Sequence, residues 1–120
     1  MDIGDNGFGI CGSAGTSVAF FSVDTSTKEC VNVVHTHTLE RGGLNDVAIR
    51  KDGKIAITAG WDHRIRIFSL VAKPHPRPLA VLKYHTQSVS CVDCFKFDDS
   101  NQSMFVTSAY DGHLALWNIF

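Results

Sequence analysis

The sequence repeats itself at a spacing of nearly fifty residues. Three twelve-residue segments align without gaps, at residues 12–23, 59–70 and 108–119. Each runs from small residues through a polar turn into alternating large apolar residues that end near an aromatic. The aromatics Phe21 and Phe68 are 47 residues apart, and Phe68 and Trp117 are 49 apart. Because a fixed period of this size is typical of repeat architectures, it constrains the fold more than any single segment does.

Each copy predicts two β-strands joined by a tight hairpin. In the third copy Leu114 and Leu116 alternate with smaller or polar residues, and no helical stripe persists for ten residues anywhere in the chain. Further strands are predicted at residues 44–49 and 89–94, ahead of the second and third copies, and at 29–34 and 79–84, after the first and second. One unit is therefore four short antiparallel strands, as in a blade of a β-propeller, whose repeats run to ~40–50 residues.

Four residues of the third unit match the hydrogen-bonded tetrad of WD40 repeats: His85, Thr107, Asp111 and Trp117. A buried indole N–H needs an acceptor, a hydroxyl can accept and donate, and a histidine oriented by a carboxylate completes the chain. Histidine, hydroxyl and carboxylate also compose a hydrolase triad. The tetrad accounts for the tryptophan as well, so we expect a structural role.

The other two units match the tetrad less well. The second keeps Thr58 and Asp62 at the same offsets, but has Phe68 at the tryptophan position and Glu40 at the histidine position, which predicts a partial tetrad. The first predicts none, with Cys11, Gly15 and Phe21 at the matching places. Taken together, the repeats predict an all-β fold of WD40 propeller blades.

The length predicts about two and a half blades in an incomplete ring. Residues 1–120 would form a partial WD40 propeller, with an incomplete blade at 8–35, a blade at 36–84 and a last blade at 85–120 that lacks its outer strand. Closed propellers have ~4–8 blades. We therefore expect a portion of a larger protein, a truncated product, or a subunit that closes with copies of itself. Its partners would include the remaining blades or such copies.

Composition excludes several classes of function. A formal net charge of −1 does not suit an electrostatic nucleic-acid binder, and 44% hydrophobic residues are too many for a disordered chain. No apolar run approaches the ~18 residues of a membrane-spanning helix, and the acidic, glycine-rich start is unlike a signal peptide. The cysteines lie in predicted apolar strands, which predicts buried thiols in a reducing compartment: Cys11, Cys30, Cys91 and Cys94.

Sequence signatures of enzymes and cofactor sites are missing. The chain has no GxSxG, GxxxxGK[ST] or HExxH, so we expect neither catalysis nor a cofactor. The spacing Cys91-x-x-Cys94 places the two sulfurs on opposite faces of a strand, which favours packing over metal or redox chemistry. His35 and His37 would share a face, but no third metal ligand is identifiable.

Trp61 is the leading candidate for an interaction residue. It lies in a hairpin turn beside His63 and Arg64, and Tyr110 is its counterpart in the third unit. An aromatic with an adjacent arginine is typical of protein-binding hot spots. The alternative is a turn aromatic that packs on the neighbouring blade. Arg64 and Arg66 alternate with isoleucines, and a second hypothesis makes these arginines readers of modified or acidic peptides at a propeller rim.

The proline-rich segment 73–78 predicts an exposed loop outside the ladder, between a third and a fourth strand.

A closer resemblance covers the last two-thirds of the chain, and it rests on residues 43–50, 59–68, 78–82 and 85–92. These resemble the C-terminal blades of the family of guanine nucleotide-binding protein subunit beta-like protein 1, with ASTRA-associated protein 1 as its fungal relative. The resemblance implies a non-catalytic scaffold of the cytoplasm and nucleus. It would work with the co-chaperone machinery that assembles phosphatidylinositol-3-kinase-related kinases and, in fungi, with a chromatin-linked complex.

Overall fold

The computed structural model describes residues 1–24, 31–71, 76–96 and 103–118, and all its regular secondary structure there is β. The first sheet contains β1 Asp2–Ile3, β2 Phe8–Cys11, β3 Ser17–Val23 and β4 Val31–Thr38. The second contains β5 Leu44–Ile49, β6 Ile55–Gly60, β7 Arg64–Ser69 and β8 Arg77–Lys83. The third contains β9 Val89–Lys96, β10 Ser103–Ala109 and β11 Leu114–Asn118. The strands lie side by side in chain order, antiparallel, in three separate sheets. The predicted all-β fold of propeller blades in an open arrangement is confirmed.

The sheets face one another in the order of the chain. The first and second meet over one core, built mainly from Phe8, Ile10, Val18, Phe20, Leu44, Val47, Ile49, Ala56 and Phe68. The second and third meet over another, built from Ala48, Ile55, Ile57, Ala59, Ile65, Ile67, Val89, Val92 and Phe105. The middle sheet is therefore covered on both faces, which is why every residue of β6 is buried. A strand covered on both faces requires the nearly continuous apolar and small sequence that β6 has.

The two inner hairpin turns share a backbone conformation set by their side chains. Asp62 and Asp111 each accept a hydrogen bond from the backbone N–H two residues later, at 3.3 and 2.9 Å. The next position is left-handed in both turns, with φ of 70° at His63 and 79° at Gly112. Such Asx turns followed by a positive φ reverse the chain tightly, so the sequence forms matching hairpins at the two places.

The first sheet extends beyond its predicted bounds at both ends. β1 pairs with β2, Asp2 opposite Ile10, ahead of the predicted start at residue 8. A two-residue strand is too short to show alternation. β4 continues to Thr38, past the predicted boundary at residue 35. The rings of His35 and His37 near its end pack on core aromatics, which holds these residues in the first sheet. Residues 29 and 30 of the predicted strand lie outside the described part.

The prediction that residues 73–78 stay out of the ladder is wrong for the last two. Arg77 and Pro78 belong to β8, opposite Ser69 and Phe68. The register shifts between Ile67 and Phe68, next to the proline. A proline is tolerated there because β8 is the outermost strand and a bulge relieves the ladder of one hydrogen bond. Residues 72–75 lie outside the described ranges. No helix that could span a membrane is found in the part of the chain that is described.

Candidate functional site

The third sheet brings four predicted residues into one hydrogen-bonded chain. Trp117 on β11 donates its Nε1–H to Thr107 Oγ1 at 3.0 Å. Thr107 Oγ1 lies 2.9 Å from His85 Nε2, and His85 Nδ1 lies 3.2 Å from Asp111 Oδ2. The turn between β10 and β11 carries the Asp111 carboxylate, and the segment between β8 and β9 carries the His85 imidazole.

One order of donors and acceptors satisfies every contact in this chain. In that order Thr107 Oγ1 accepts from Trp117 and donates to His85 Nε2, and His85 donates from Nδ1 to Asp111. Burial alone would raise the pKa of Asp111, but the backbone N–H groups of His113 and Thr86 and the His85 side chain together lower it to about 2. Thr107 is 1% exposed and both sides of its hydroxyl are engaged. The hydroxyl is therefore closed off from solvent, which favours a structural role for the group over a nucleophilic one.

In the second sheet the equivalent aspartate has a different partner. Asp62 forms a two-point ion pair with Arg66, at 2.6 and 3.2 Å, whereas Asp111 contacts His85. Thr58 Oγ1 is fully buried and has no hydrogen-bond partner. Phe68 stands at the tryptophan position and cannot donate, and Glu40 is exposed. No hydrogen-bonded tetrad connects these residues.

Arg66 is therefore not on an exposed rim, as the peptide-reader hypothesis requires. It is 8% exposed, and its guanidinium is held by Asp62. Burial alone would raise the pKa of Asp62, but hydrogen bonding and the charge of Arg66 lower it below the usual range. Because Arg66 is buried in this ion pair, only Arg64 of the two arginines remains available to bind a modified or acidic peptide.

The described cysteines and histidines do not gather into a metal site. No group of three potential ligands is found among the described residues. Cys91 is exposed, contrary to the expectation of a buried thiol, whereas Cys94 packs against the core and burial raises its pKa to about 12. His37 packs edge-on to Phe68 at 5.2 Å, and its pKa is lowered by burial and by the nearby His35 and Arg66. Cys30 lies outside the described residues.

Trp61 is both exposed and rigidly held. Its ring lies on Gly43, where an added Cβ would come within 2.2 Å of the indole, so only glycine fits beneath it. Its Nε1–H donates to Asn45 Oδ1 at 2.7 Å. Asn45 in turn donates to Ser88 Oγ at 2.9 Å and to the carbonyl of Val89 at 2.8 Å, which ties the turn of the second sheet to the third. The side chain nevertheless remains 46% exposed.

The neighbouring exposed residues extend this site. His63 is exposed and Arg64 is half-buried in the same turn. Tyr110 is 69% exposed, and its backbone N–H donates to the carbonyl of Ser88 at 3.0 Å. We call Trp61, His63, Arg64 and Tyr110 the Trp61 surface. It spans the second and third sheets, which direct hydrogen bonds join at this point, so its two exposed aromatic side chains lie on connected backbone.

Comparison with known proteins identifies the repeats. The family described as "WD domain, G-beta repeat" matches residues 28–69 and 76–118, which together cover more than half of the chain. The chain belongs to the WD40 repeat family. Members of this family generally act as non-catalytic scaffolds that bind other proteins.

Several named proteins are similar to the chain. Guanine nucleotide-binding protein subunit beta-like protein 1 of Mus musculus is 38% identical over 112 residues, 93% of this chain and 31% of that protein. ASTRA-associated protein 1 of Schizosaccharomyces pombe is 32% identical over 78 residues, 65% of this chain and 19% of that protein. ASTRA-associated protein 1 of Pyricularia oryzae is 41% identical over 71 residues, 59% of this chain and 13% of that protein. The chain thus spans about a third or less of the length of these relatives.

Sequence reasoning missed the residues that hold Trp61 in place. Gly43, Asn45 and Ser88 form its support, but they are separated along the chain by up to forty-five positions. All three belong to segments that carry the family resemblance, but their role depends on contacts between sheets. Sequence spacing within one repeat gives no signal for such contacts.

Proposed function

We propose that this chain is a non-catalytic WD40 scaffold whose Trp61 surface binds other proteins. The observation that carries the proposal is that Trp61 is fixed by Gly43 and Asn45 while almost half of its side chain faces solvent. An exposed large aromatic normally loses conformational freedom when it is bound. Because the indole is already held, that entropic cost is reduced and the aromatic area can contribute more fully to affinity.

The names of the relatives suggest the kind of assembly. ASTRA-associated protein 1 is named for an association, and this chain shares part of its sequence. We propose that the partners are components of such an assembly and, by the resemblance of residues 43–120, of the machinery that assembles phosphatidylinositol-3-kinase-related kinases. A role in the nucleus as well as the cytoplasm, with a link to chromatin, belongs to the same proposal.

Quantitative affinity capture tests the Trp61 surface. The tagged chain and its Trp61→Ala and Arg64→Ala variants are used to capture proteins from cell extract, and the bound proteins are quantified by mass spectrometry. Each variant is expected to lower the captured amount of a specific set of partners several-fold, since removal of a central aromatic or arginine has large effects at interfaces. Thermal melting of each variant checks that the fold is retained.

Leu79→Ala provides a matched control. Leu79 is 48% exposed, a fraction similar to the 46% of Trp61, but it lies on the outermost strand of the second sheet. It should leave capture unchanged. Trp61→Phe adds a finer test, because the smaller ring can still pack on Gly43 but loses the donor to Asn45. If Trp61→Ala and Arg64→Ala capture the same amounts of partner proteins as the parent chain, the assignment of the surface is refuted.

A further inference from the structure

The turn that carries Trp61 holds a histidine in a backbone conformation that favours glycine. His63 has a φ of 70°, and it is the one residue other than glycine with a positive φ in the described part of the chain. Gly112 occupies the equivalent position of the third sheet, with a φ of 79°. A Cβ added at Gly112 would meet no atom within 4 Å, so the backbone alone favours glycine there. A side chain in this left-handed region costs free energy, which glycine would avoid.

The His63 side chain has no use inside the fold that would offset this cost. It is exposed, and it makes no hydrogen bond, ion pair or ring contact with the described residues. Residues in unfavourable backbone conformations are concentrated at binding and catalytic sites. The conformation of His63 therefore points to a contact with a molecule outside the chain.

The next residue has a charge that the fold leaves uncompensated. Arg66 engages both carboxylate oxygens of Asp62, at 2.6 and 3.2 Å. Arg64 forms no ion pair with any residue that the structure describes. Its equivalent in the third sheet, His113, does reach its own turn aspartate, with Nδ1 3.6 Å from Asp111 Oδ1. Because Arg66 occupies the carboxylate of the second sheet, Arg64 is available to an anion from outside.

The surface around this turn offers Arg64 no competing carboxylate. The side chains of Asp62 and Asp111 are only 3% and 4% exposed, so both turns keep their negative charges away from solvent. The segment between β4 and β5 has Glu40 and Arg41, which are both exposed and opposite in charge. The turn between β6 and β7 therefore presents the positive charge of Arg64.

We propose that His63 and Arg64 bind an anionic side chain, a carboxylate or a phosphate, in a segment of a partner protein, while an apolar neighbour of that side chain packs on Trp61. A guanidinium pairs with either anion through two N–H donors, and the imidazole supplies a further N–H. This inference rests on the proposed function. It narrows the partners to segments that have a negative charge beside an apolar residue.

Substitutions of His63 separate binding from folding. His63→Gly should raise the midpoint of urea unfolding, because glycine adopts the positive φ readily. It should nevertheless lower several-fold the captured amount of those proteins whose capture depends on Trp61. His63→Ala removes the same imidazole without the flexibility of glycine, and should lower capture equally. The reciprocal change Gly112→His should lower the unfolding midpoint, since it introduces a side chain at the same φ.

A peptide array tests the charge of the bound segment. Nine-residue peptides contain Asp, Glu, phosphoserine, Asn, Gln or Ser at the central position and mixtures of residues elsewhere. The chain should bind an anionic set several-fold more than its neutral counterpart. Preference for the Asp and Glu sets assigns a carboxylate, and preference for the phosphoserine set assigns a phosphate. Arg64→Gln should abolish the preference, whereas Lys51→Gln, which removes an exposed charge from the turn at the other end of β6, should not.

Three outcomes would overturn the inference and leave the proposed function intact. In the first, Trp61→Ala lowers capture but the two His63 variants do not. In the second, His63→Gly lowers capture and His63→Ala does not, which would assign the effect to the stiffness of the turn. In the third, the anionic and neutral peptide sets bind equally. If Trp61→Ala itself leaves capture unchanged, the proposed function fails as well.

Discussion

The first three strands of the second sheet correspond to the three described strands of the third, and their hairpin turns match, but the polar interiors of the two sheets differ. In the third, a chain of hydrogen bonds runs from Trp117 through Thr107 and His85 to the Asp111 carboxylate. In the second, Asp62 and Arg66 form a buried ion pair. Both aspartates lie at the same place in their hairpins and accept the same backbone hydrogen bond.

The difference shows which features the blade requires. Alternating apolar residues and an aspartate-led turn occur in both sheets, so they determine the hairpin and its packing. The partner of the aspartate is exchangeable, because either an imidazole or a guanidinium can reach the carboxylate. The exchange leaves a defect: Thr107 has two partners, whereas the equivalent Thr58 has none. A buried polar atom without a partner costs stability.

The largest expected effect concerns the ion pair of the second sheet. Asp62→Asn or Arg66→Met alone should lower the free energy of unfolding by about 3 kcal/mol, because each leaves a buried charge without its partner. The double variant should return to within about 1 kcal/mol of the parent chain, since an apolar side chain of similar length replaces the cation. Urea unfolding of the four proteins measures the coupling.

The pair Arg50–Asp52 is the control for that cycle. Its nitrogen and oxygen are also 2.6 Å apart, but the aspartate side chain is 36% exposed. Asp52→Asn should therefore cost less than about 1 kcal/mol. If the two single changes at Asp62 and Arg66 are additive, with no recovery in the double variant, the ion pair does not replace the tetrad energetically.

Smaller changes in the free energy of unfolding, with opposite signs, are expected when the two equivalent threonines are replaced. Thr107→Val should destabilise the chain by about 2 kcal/mol, because the buried groups of Trp117 and His85 lose their shared partner. Thr58→Val keeps the shape and removes a hydroxyl without a partner, so it should stabilise by about 1 kcal/mol. Midpoints of urea unfolding for both variants test this directly. Effects of the same sign and size at the two positions would contradict the contrast between the sheets.

The repeat made the fold predictable from the sequence, whereas the polar contacts inside the sheets were harder to predict. Alternation around Ile65 and Ile67 and the match of Phe68 with Trp117 predicted the hairpins, because strand periodicity is local. The four residues of the third-sheet chain were also identified from their spacing. Arg66 was misjudged, since a polar residue at the right period looks the same whether it reaches solvent or an internal carboxylate. The support of Trp61 depends on contacts between sheets, which no spacing within a repeat encodes.

The smallest expected effect is a difference in acid sensitivity between the two aspartates and their amide variants. The pKa of Asp111 in the folded chain is about 2, below its ordinary value of 3.8. A carboxylate with a lowered pKa stabilises the fold above about pH 4, and this contribution disappears as the pH falls towards 2. Asp62 shifts in the same direction. Urea unfolding across this range should show a shallower loss of stability for Asp111→Asn than for the parent chain, and likewise for Asp62→Asn relative to its own value at neutral pH. If Asp111→Asn loses stability in parallel with the parent chain, the hydrogen bonds from His113, Thr86 and His85 do not favour the ionised carboxylate in the folded chain.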